Sequence, residues 1–327
     1  MDRTLVVGAT GQLGTAAVKE LRRRGADVRA LVRSAEQAGR FRDTGVESVT
    51  GDLTDAPSLA RACSGVGAII TTANAAIPSR RTDTFEAVER NGYRNLIQAA
   101  TAAKVRRFIY TSVPMTKYAH LAPLIRFKRE TEEALTASGL ESVIFRADVF
   151  MDTAFAMMGS SIPLRGSEGA TVLRPFAFAN RHFTRIRENI EQKHLAMIPG
   201  DGTKRHSFIC VEDVARFLAS AVHSAAAGEY AVGGPEALTF LDVVGIYERI
   251  LGVSLRVQRT PATLFRVAAA VLGPFSPAGG NLMALNYIAA MEETLSDPTA
   301  ATTFNVRLTS AEEFLRAKYS AGDAAKR

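Results

Sequence analysis

The first thirty-three residues constrain the fold of this chain more than any other stretch. Residues 4–7 form a short apolar run that predicts a buried strand, and a glycine-rich turn over residues 8–14 follows directly. A helical pattern then runs to Gly25, and residues 28–32 predict a second strand. A strand, glycine turn, helix and strand in this order are typical of a dinucleotide-binding unit. The glycines let the backbone approach a pyrophosphate at the N-terminus of the helix.

The residue at the end of the second strand distinguishes between two nucleotides. In such units an acidic residue at this place binds a ribose 2′-hydroxyl, whereas an arginine accommodates a 2′-phosphate. This chain has Arg33 followed by Ser34, which favours NADP(H) over NAD(H). The alternative is that Arg33 is simply a solvated residue at the end of a strand.

The alternation of strands and helices continues to about residue 150. Such alternation predicts parallel strands with right-handed crossovers, and therefore an α/β fold with a doubly wound parallel Rossmann sheet. Ligands of these sheets bind beyond the carboxyl ends of the strands. That rule singles out residues 52–53, 72–74, 111–112 and 148–150. A long helix is expected over residues 84–103, with Asp83 in its capping pattern.

Beyond residue 150 the regular alternation is lost. We predict an NADP-binding Rossmann domain over residues 1–150 and 206–232, where a strand at 206–211 and a helix capped by Asp213 return to the sheet. Residues 151–205 and 233–327, here called the cover region, are expected to be smaller, mostly helical and substrate-binding. Met151, Phe155 and Met158 recur at helical spacing. Together with Phe150 they could line a substrate pocket, or they could belong to the core.

Composition excludes several classes of protein. The 327 residues are 47% hydrophobic and 22% charged, as in ordinary globular proteins. The net charge of +7 suits an anionic ligand, but the basic residues are dispersed, so we expect no nucleic-acid partner. No signal peptide or apolar run of membrane-spanning length is found, and Cys63 and Cys210 lie far apart. We therefore expect a cytoplasmic protein without a membrane segment, either a monomer or a homodimer.

Several sequence blocks resemble one family, the atypical short-chain dehydrogenase/reductases, and specifically their NmrA-like branch. The blocks are residues 7–14, 28–33, 51–53, 91–97, 108–112, 128 with 132–133, 138–140, 150–152 and 211–215. The resemblance extends to about residue 235. It implies NADP(H) binding by a Rossmann fold, in a family that contains reductases of quinones, dyes and secondary metabolites. The family also contains proteins that bind NADP(H) as redox sensors and catalyse nothing.

The resemblance and the sheet rule together define a set of expected nucleotide contacts. They lie in the glycine turn, at the strand ends and at one lysine. The set is Gly8, Thr10, Gly11, Gln12, Leu13, Gly14, Arg33, Asp52, Leu53, Thr72, Ala73, Asn74, Thr111, Ser112, Lys128, Val149 and Phe150. The expected substrate pocket contains Phe150, Met151 and Phe155.

The expected catalytic residues are Lys128 and Tyr118. Typical members of the wider family use Tyr-x-x-x-Lys, but the residue four positions before Lys128 is Leu124. The resemblance implies that Lys128 contacts the nucleotide ribose and relays a proton without that tyrosine. The alternative is an exposed helix lysine that pairs with Glu132 at i,i+4. Tyr118 and His120, in the loop after the fifth strand, are possible substitute proton donors.

Taken together, the sequence predicts an NADPH-dependent reductase that transfers a hydride to a small apolar substrate. Cyclic or aromatic enones, quinones, ketones or imines fit this description. Two alternatives remain open: a catalytically silent NADP(H) sensor, and a non-redox isomerase or dehydratase on the same scaffold. No pair of histidines has metal-ligand spacing, so no metal site is expected. No nucleophile elbow is present, which disfavours a hydrolase.

Overall fold

The central feature of the fold is a seven-stranded parallel sheet. The structure is a computed structural model and describes residues 3–173 and 177–324. Its strands, in chain order, are β1 (Arg3–Val7), β2 (Val28–Val32), β3 (Glu47–Thr50), β4 (Val66–Thr71), β5 (Arg107–Ser112), β6 (Glu141–Ala147), β7 (Leu195–Pro199), β8 (Arg205–His206), β9 (Gly228–Val232), β10 (Leu238–Thr239) and β11 (Arg256–Thr260). The central sheet has the order β3-β2-β1-β4-β5-β6-β9. The predicted doubly wound Rossmann fold is confirmed.

Helices cover both faces of this sheet and build the cover region. They are α1 (Gln12–Arg23), α2 (Ala35–Gly39), α3 (Ala56–Cys63), α4 (Tyr93–Ala102), α5 (Pro123–Ala137), α6 (Met151–Met157), α7 (Ala177–Ile186), α8 (Asn189–Lys193), α9 (Val211–Ala221), α10 (Phe240–Leu251), α11 (Ala262–Leu272), α12 (Pro277–Met291), α13 (Thr299–Thr303) and α14 (Ala311–Ala324). A π-helix, Phe85–Gly92, leads directly into α4, and short 3₁₀ turns lie at Ala119–Leu121, Ile162–Leu164 and Thr171–Leu173.

Alternate residues of each central strand contribute to two separate cores. In β1, Leu5 and Val7 point to the face covered by α3, α4 and α5, whereas Val6 points to the face covered by α1 and α9. All three side chains are at most 1% exposed. Both faces are buried because the crossover helices lie on both sides, so the strands read as continuous apolar runs.

A third core stabilises the cover region. It joins α6, α10 and α14 around fully buried side chains such as Phe155 and Tyr247. Two small sheets flank it: β7 pairs in parallel with β11, and β8 pairs antiparallel with β10. The sequence analysis did not predict β11, because its residues 256–260 are mostly polar and lack an apolar run.

The chain returns to the central sheet differently from what was expected. The strand predicted at residues 206–211 is reduced to β8, and α9 already begins at Val211, with Cys210 at its N-cap. Asp213 is therefore not the cap. Its buried carboxylate instead accepts a hydrogen bond of 2.7 Å from the backbone N–H of Thr309, which ties α9 to the segment before α14.

Helices α11 and α12 form a hairpin with an exposed apolar face. Leu264, Val267 and Val271 recur at helical spacing along α11, and each is more than half exposed. Phe275, in the turn between the two helices, is 88% exposed. Of the helices within residues 3–173 and 177–324, none combines the length and hydropathy needed to cross a bilayer.

The aromatic packing beneath β6 provides a test of the core. Phe145 is fully buried, and its ring centroid lies 4.9 Å from that of Phe304 and 5.5 Å from that of Phe217. We expect Phe145→Ala to lower the free energy of unfolding by about 3–5 kcal/mol, because the cavity it leaves cannot fully collapse. Chemical unfolding midpoints measure this loss.

The matched control is the exposed ring of Phe275. Phe275→Ala is expected to change the free energy of unfolding by no more than about 0.5 kcal/mol. Comparable losses in the two variants would contradict the burial assigned to β6.

Candidate functional site

One large cavity lies along the carboxyl ends of the central strands. Its volume is about 920 Å³, and it extends from the glycine turn to the cover region. All seventeen residues expected to contact the nucleotide line this cavity: Gly8, Thr10, Gly11, Gln12, Leu13, Gly14, Arg33, Asp52, Leu53, Thr72, Ala73, Asn74, Thr111, Ser112, Lys128, Val149 and Phe150. The parallel sheet brings them together because all its carboxyl ends meet at one edge.

The glycine turn packs too tightly for side chains at two of its positions. Gly8 has a φ of +85°, and a Cβ there would lie 2.8 Å from the backbone nitrogen of Ala73. A Cβ at Gly14 would lie only 2.0 Å from the carbonyl oxygen of Gly8. Gly11 is the N-cap of α1 and has no side chain to cap the helix. The positive end of the α1 dipole therefore borders the cavity, where it favours an anionic group.

Arg33 is held in place by a carboxylate rather than lying free in solvent. Its Nη1 donates to both carboxylate oxygens of Asp83, at 3.1 and 2.9 Å. The expected role of Asp83 as a helix cap is wrong, because Thr84 occupies the cap and accepts a hydrogen bond from the N–H of Ala87. Asp83 instead fixes the guanidinium of Arg33 at the cavity wall.

A second arginine, Arg40, borders the same end of the cavity and was missed by the sequence analysis. Its Nη1 donates to the backbone oxygen of Thr10 at 3.1 Å, and its Nη2 lies 3.8 Å from Glu168. The carboxylate of Glu168 also pairs with Lys19 at 2.7 Å. Arg40 directly follows α2, and both Arg33 and Arg40 line the cavity. This end of the cavity therefore carries two guanidinium groups.

Asp52 anchors the turn after β3. Its Oδ1 accepts hydrogen bonds from the backbone N–H and the hydroxyl of Thr54, at 3.0 and 2.9 Å. Burial opposes its ionisation, but these hydrogen bonds and the nearby charge of Arg80 outweigh burial, so the pKa of Asp52 lies below its usual value. The carboxylate thus shapes the cavity wall through its loop.

Lys128 is a buried ammonium beside the nucleotide-facing strand ends. It is 4% exposed, and its Nζ donates to the backbone oxygen of Thr111 at 3.1 Å. The nitrogen lies 3.6 Å from Oε2 of Glu89 and 4.6 Å from the ring centroid of Tyr110. Burial lowers the pKa of Lys128, and burial likewise raises the pKa of Glu89. Each group is the counter-charge of the other.

The π-helix is the element that presents Glu89 to Lys128. Its wide turns put Glu89, which is fully buried, on the inner face, where Oε1 also accepts the N–H of Ala75 at 2.7 Å. Turns of this kind occur often at functional sites. Spacing in the sequence gave no indication of this pair, because the two residues lie on different elements.

The alternative pairing of Lys128 with Glu132 is not present. Glu132 instead accepts hydrogen bonds from Ser112 and Arg129 and pairs with Arg146 at 2.7 Å. Lys128 therefore points inward rather than along the surface of α5.

Three predicted site residues lie away from the cavity. Tyr118 does not line it and packs its ring edge-to-face against Tyr287, with the centroids 5.3 Å apart. Met151 and Phe155 are at most 1% exposed and belong to the core of the cover region, as their alternative interpretation had it. Phe150 does line the cavity. Met158, the third residue of the stripe, belongs to the same core and also lines the cavity.

The far end of the cavity is apolar and is built by the cover region and α5. Its wall includes Leu124, Ile125, Phe265, Leu282, Leu285 and Ile288. Asp148, His206 and Thr294 supply polar groups there, and the sequence analysis assigned no site role to the last two. Thr294 lies 88 residues after His206, a separation that no local motif reveals. Within the part of the chain that the structure describes, no group of three or more acidic, cysteine or histidine side chains could hold a metal.

Comparison with known families identifies the scaffold. The family model described as the NmrA-like family matches residues 1–315. The chain belongs to the NmrA-like family. The resemblance noted in the sequence is thereby confirmed over more of the chain than the motifs alone covered.

Among relatives, the chain is similar to proteins named photosystem II assembly factor Ycf39. The protein of Cyanophora paradoxa is 38% identical over 144 residues, which are 43% of this chain and 44% of the relative. The Synechocystis protein is 26% identical over 272 residues, which are 81% of this chain and 72% of the relative. The first match spans less than half of the relative's length.

Solved structures share the fold at low sequence identity. The NADPH-dependent quinone oxidoreductase of Escherichia coli, solved with NADPH, has a TM-score of 0.71 and 20% identity, covering 97% of this chain and 99% of its own. The triphenylmethane reductase of Citrobacter sp., solved with NADP(H), has a TM-score of 0.69 and 18% identity, and the match covers 97% of this chain and 99% of the reductase. These likenesses establish the common Rossmann architecture.

The buried pair of Glu89 and Lys128 makes a pH-dependent prediction. Glu89→Gln is expected to lower the free energy of unfolding by about 3–5 kcal/mol near pH 7, because it leaves a buried ammonium without its counter-charge. The pKa of Lys128 then falls further, so the unfolded chain binds more protons than the folded protein up to the ordinary lysine pKa of about 10.4. The difference in the free energy of unfolding between wild type and Glu89→Gln should therefore become smaller as the pH rises.

Chemical unfolding between about pH 7 and pH 10 measures this trend. The control is Glu86→Gln, on the same π-helix, where the carboxylate is 54% exposed and pairs with Arg90. That variant is expected to change stability by less than about 1 kcal/mol at every pH. If Glu89→Gln lowered the free energy of unfolding by the same amount at every pH, the unpaired buried charge would not be that of Lys128.

Proposed function

We propose that this protein is an NADPH-dependent reductase of a small, apolar, cyclic or aromatic compound. The observation that carries the proposal is the composition of one cavity from end to end. It begins at the glycine turn and two guanidinium groups, passes the buried ammonium of Lys128, and ends in an apolar chamber. A nucleotide with an additional phosphate suits the first part, and an uncharged substrate suits the last.

The residues at the nucleotide end fit NADPH. The N-terminus of α1 offers a positive dipole end to a pyrophosphate. Arg33 and Arg40 supply two cations where a 2′-phosphate would lie in folds of this kind. The residues that directly follow β2 are Arg33 and Ser34 rather than the acidic residue that binds a 2′-hydroxyl, although the carboxylate of Asp83 pairs with Arg33. The solved relatives with NADPH and NADP(H) support the same choice. When bound, NADPH would supply the hydride.

The protein's own groups would then position the reactants and exclude water. Lys128 is held by Glu89 and by the backbone of Thr111, so its remaining N–H can donate to a hydroxyl group from a fixed direction. Its ammonium would also stabilise negative charge that develops on a substrate oxygen. The apolar wall from α5 and α12 excludes water from this end.

Arg33→Ala is expected to weaken the binding of NADPH about 30-fold and to leave the binding of NADH nearly unchanged. The lost interaction is a charge-assisted hydrogen bond to phosphate, worth roughly 1.5–3 kcal/mol. Fluorescence titration with both nucleotides measures it. Arg23→Ala, in an exposed pair with Glu20 on α1, is the control and should alter neither affinity. An equal loss for both nucleotides in Arg33→Ala would refute the phosphate assignment.

The reductase itself is tested with NADPH and a panel of quinones, enones, ketones and imines. A reductase oxidises NADPH in proportion to the substrate consumed, which the nicotinamide absorbance reports. A non-redox enzyme would transform a compound without changing that absorbance. Binding of NADPH without oxidation across the panel would contradict the proposal.

Binding of NADPH without oxidation would favour a second function, that of a protein-binding factor that senses NADP(H). The exposed apolar stripe of Leu264, Val267, Val271 and Phe275 favours it, because such patches often mark protein interaction sites. The relatives named assembly factors point in the same direction. A sensor should change its affinity for a partner protein between NADP⁺ and NADPH, and Val267→Asp should abolish that binding without affecting the nucleotide.

A further inference from the structure

A buried chain of three hydrogen-bonding contacts crosses the floor of the cavity. The Nε2 of His206 lies 3.0 Å from the backbone oxygen of Ala289. Its Nδ1 lies 2.8 Å from Oγ1 of Thr294, and that oxygen lies 2.5 Å from Oδ1 of Asp148. His206 is fully buried and Asp148 is 2% exposed. All four residues line the cavity.

The number of protons in this chain follows from its chemistry. Each contact needs one proton, and the carbonyl of Ala289 can only accept. A neutral imidazole supplies one proton and the hydroxyl of Thr294 supplies a second. Without a third, one contact brings two lone pairs together at 3.0 Å or less. The third proton must therefore lie on Asp148 or on the imidazole of His206.

Burial favours the neutral form of Asp148, against the hydrogen bonds that its carboxyl group accepts. That group accepts N–H groups from Val149 at 2.6 Å and Ser207 at 3.1 Å, and among the described residues no cation forms an ion pair with it. Burial raises the pKa of Asp148 to about 6, although these hydrogen bonds and that from Thr294 lower it. Burial also lowers the pKa of His206, which the hydrogen bond to Ala289 and the negative charge of Glu293 only partly offset. At and below a pH of about 6 the extra proton is therefore held on or near the carboxyl group.

We propose that Asp148, Thr294 and His206 store one proton and that Thr294 delivers it to the substrate. Asp148 and His206 are buried whereas Thr294 is partly exposed, so we assign the contact with a bound compound to the hydroxyl of Thr294. Asp148 and His206 act through it as positioning residues. This inference rests on the proposed reductase function and supplies the proton donor that such a reaction needs.

The reaction balances with these groups. When bound, NADPH would supply the hydride to the electrophilic carbon of the substrate, and the π-electron pair of the C=O or conjugated system would move onto oxygen. That oxygen would take the hydroxyl proton of Thr294, and the Thr294 oxygen would take the stored proton from Asp148. Asp148 would be left as a carboxylate, and a proton from the solvent would return to it after the product leaves.

Other donors are placed less well for this step. Tyr118 is packed against Tyr287 outside the cavity. Lys128 is engaged by Glu89 and the Thr111 carbonyl, and loss of its proton would leave Glu89 as a buried charge without a partner. The Asp148 chain differs because loss of its proton leaves a carboxylate that two N–H groups already stabilise.

Nuclear magnetic resonance of the whole protein tests the stored proton without any substrate. With ¹⁵N-labelled histidine and ¹³C-labelled aspartate, we expect a strongly downfield bridging proton and one shared transition at the Asp148 carboxyl carbon and the His206 ring nitrogens. Thr294→Val should remove the bridging signal and separate the two titrations, whereas Thr294→Ser should restore both. Thr303→Val, which removes a hydroxyl of α13 outside the cavity, is the control. Ionised Asp148 beside neutral His206 from about pH 5 to pH 8 would overturn the proposal.

Turnover tests the delivery step. With any compound that the protein reduces, Thr294→Val should lower kcat about 100-fold or more while NADPH affinity stays unchanged, and Thr294→Ser should retain most of kcat. Undiminished kcat in Thr294→Val would overturn delivery even if the shared proton is observed. If no compound is reduced, delivery fails together with the proposed function, while the resonance experiment still decides whether the proton is shared.

Discussion

The absence of a side chain at Gly14 is the constraint on which this structure depends. Helix α1 lies so close to the end of β1 that a Cβ at Gly14 would be 2.0 Å from the carbonyl oxygen of Gly8. This contact directs the N-terminus of α1 across the carboxyl edge of the sheet. Because β1 lies between β2 and β4 in the strand order, with β5 beside β4, the ends of these strands border the turn. Every later feature of the cavity is positioned relative to this turn.

Two buried acid-base pairs border the cavity and are stabilised in different ways. Glu89 and Lys128 face each other at 3.6 Å, and each carries the charge that makes the other tolerable in a medium of low dielectric. Asp148 and His206 are joined through a hydroxyl and need no charge separation, because one shared proton leaves both neutral. The first arrangement holds an ammonium group in place beside its counter-charge. The second can release a proton with little rearrangement, and this difference separates a binding role from a chemical one.

The sequence was informative wherever a function follows from position in a repeating fold. Strand ends are such positions, so residues as far apart as Gly8, Arg33, Asp52 and Ser112 were correctly expected to lie together. The sequence also indicated the strands of the central sheet to within two residues. Strands such as β1 and β4 are apolar runs buried on both faces, whereas the edge strands β3 and β9 are largely exposed. These inferences need only the order of elements and the handedness of their connections.

The sequence was uninformative wherever function depends on contacts between distant elements. Asp83 was interpreted as a helix cap because local spacing supports that role, yet the fold places it against Arg33, fifty residues earlier. Glu89 and Thr294 have no local motif at all. The β7–β11 pair was missed because β11 is mostly polar and because β7, a short apolar run, pairs with a strand far along the chain. Helical periodicity likewise could not tell whether Met151 and Phe155 face a ligand or the core, since both surroundings are apolar.

The division of the cavity into a cationic and an apolar end also bears on which function is correct. A protein that only senses a nucleotide needs the cationic end, but it has no need for an apolar chamber that contains a proton-storing chain. That chain carries a cost, because Asp148 and His206 are buried and all its contacts are satisfied only when an extra proton is present. Such a cost is expected at a site that uses the proton. The exposed face of α11 can serve a partner in either case, since it lies on the surface while the chain of His206, Thr294 and Asp148 lies within the cavity.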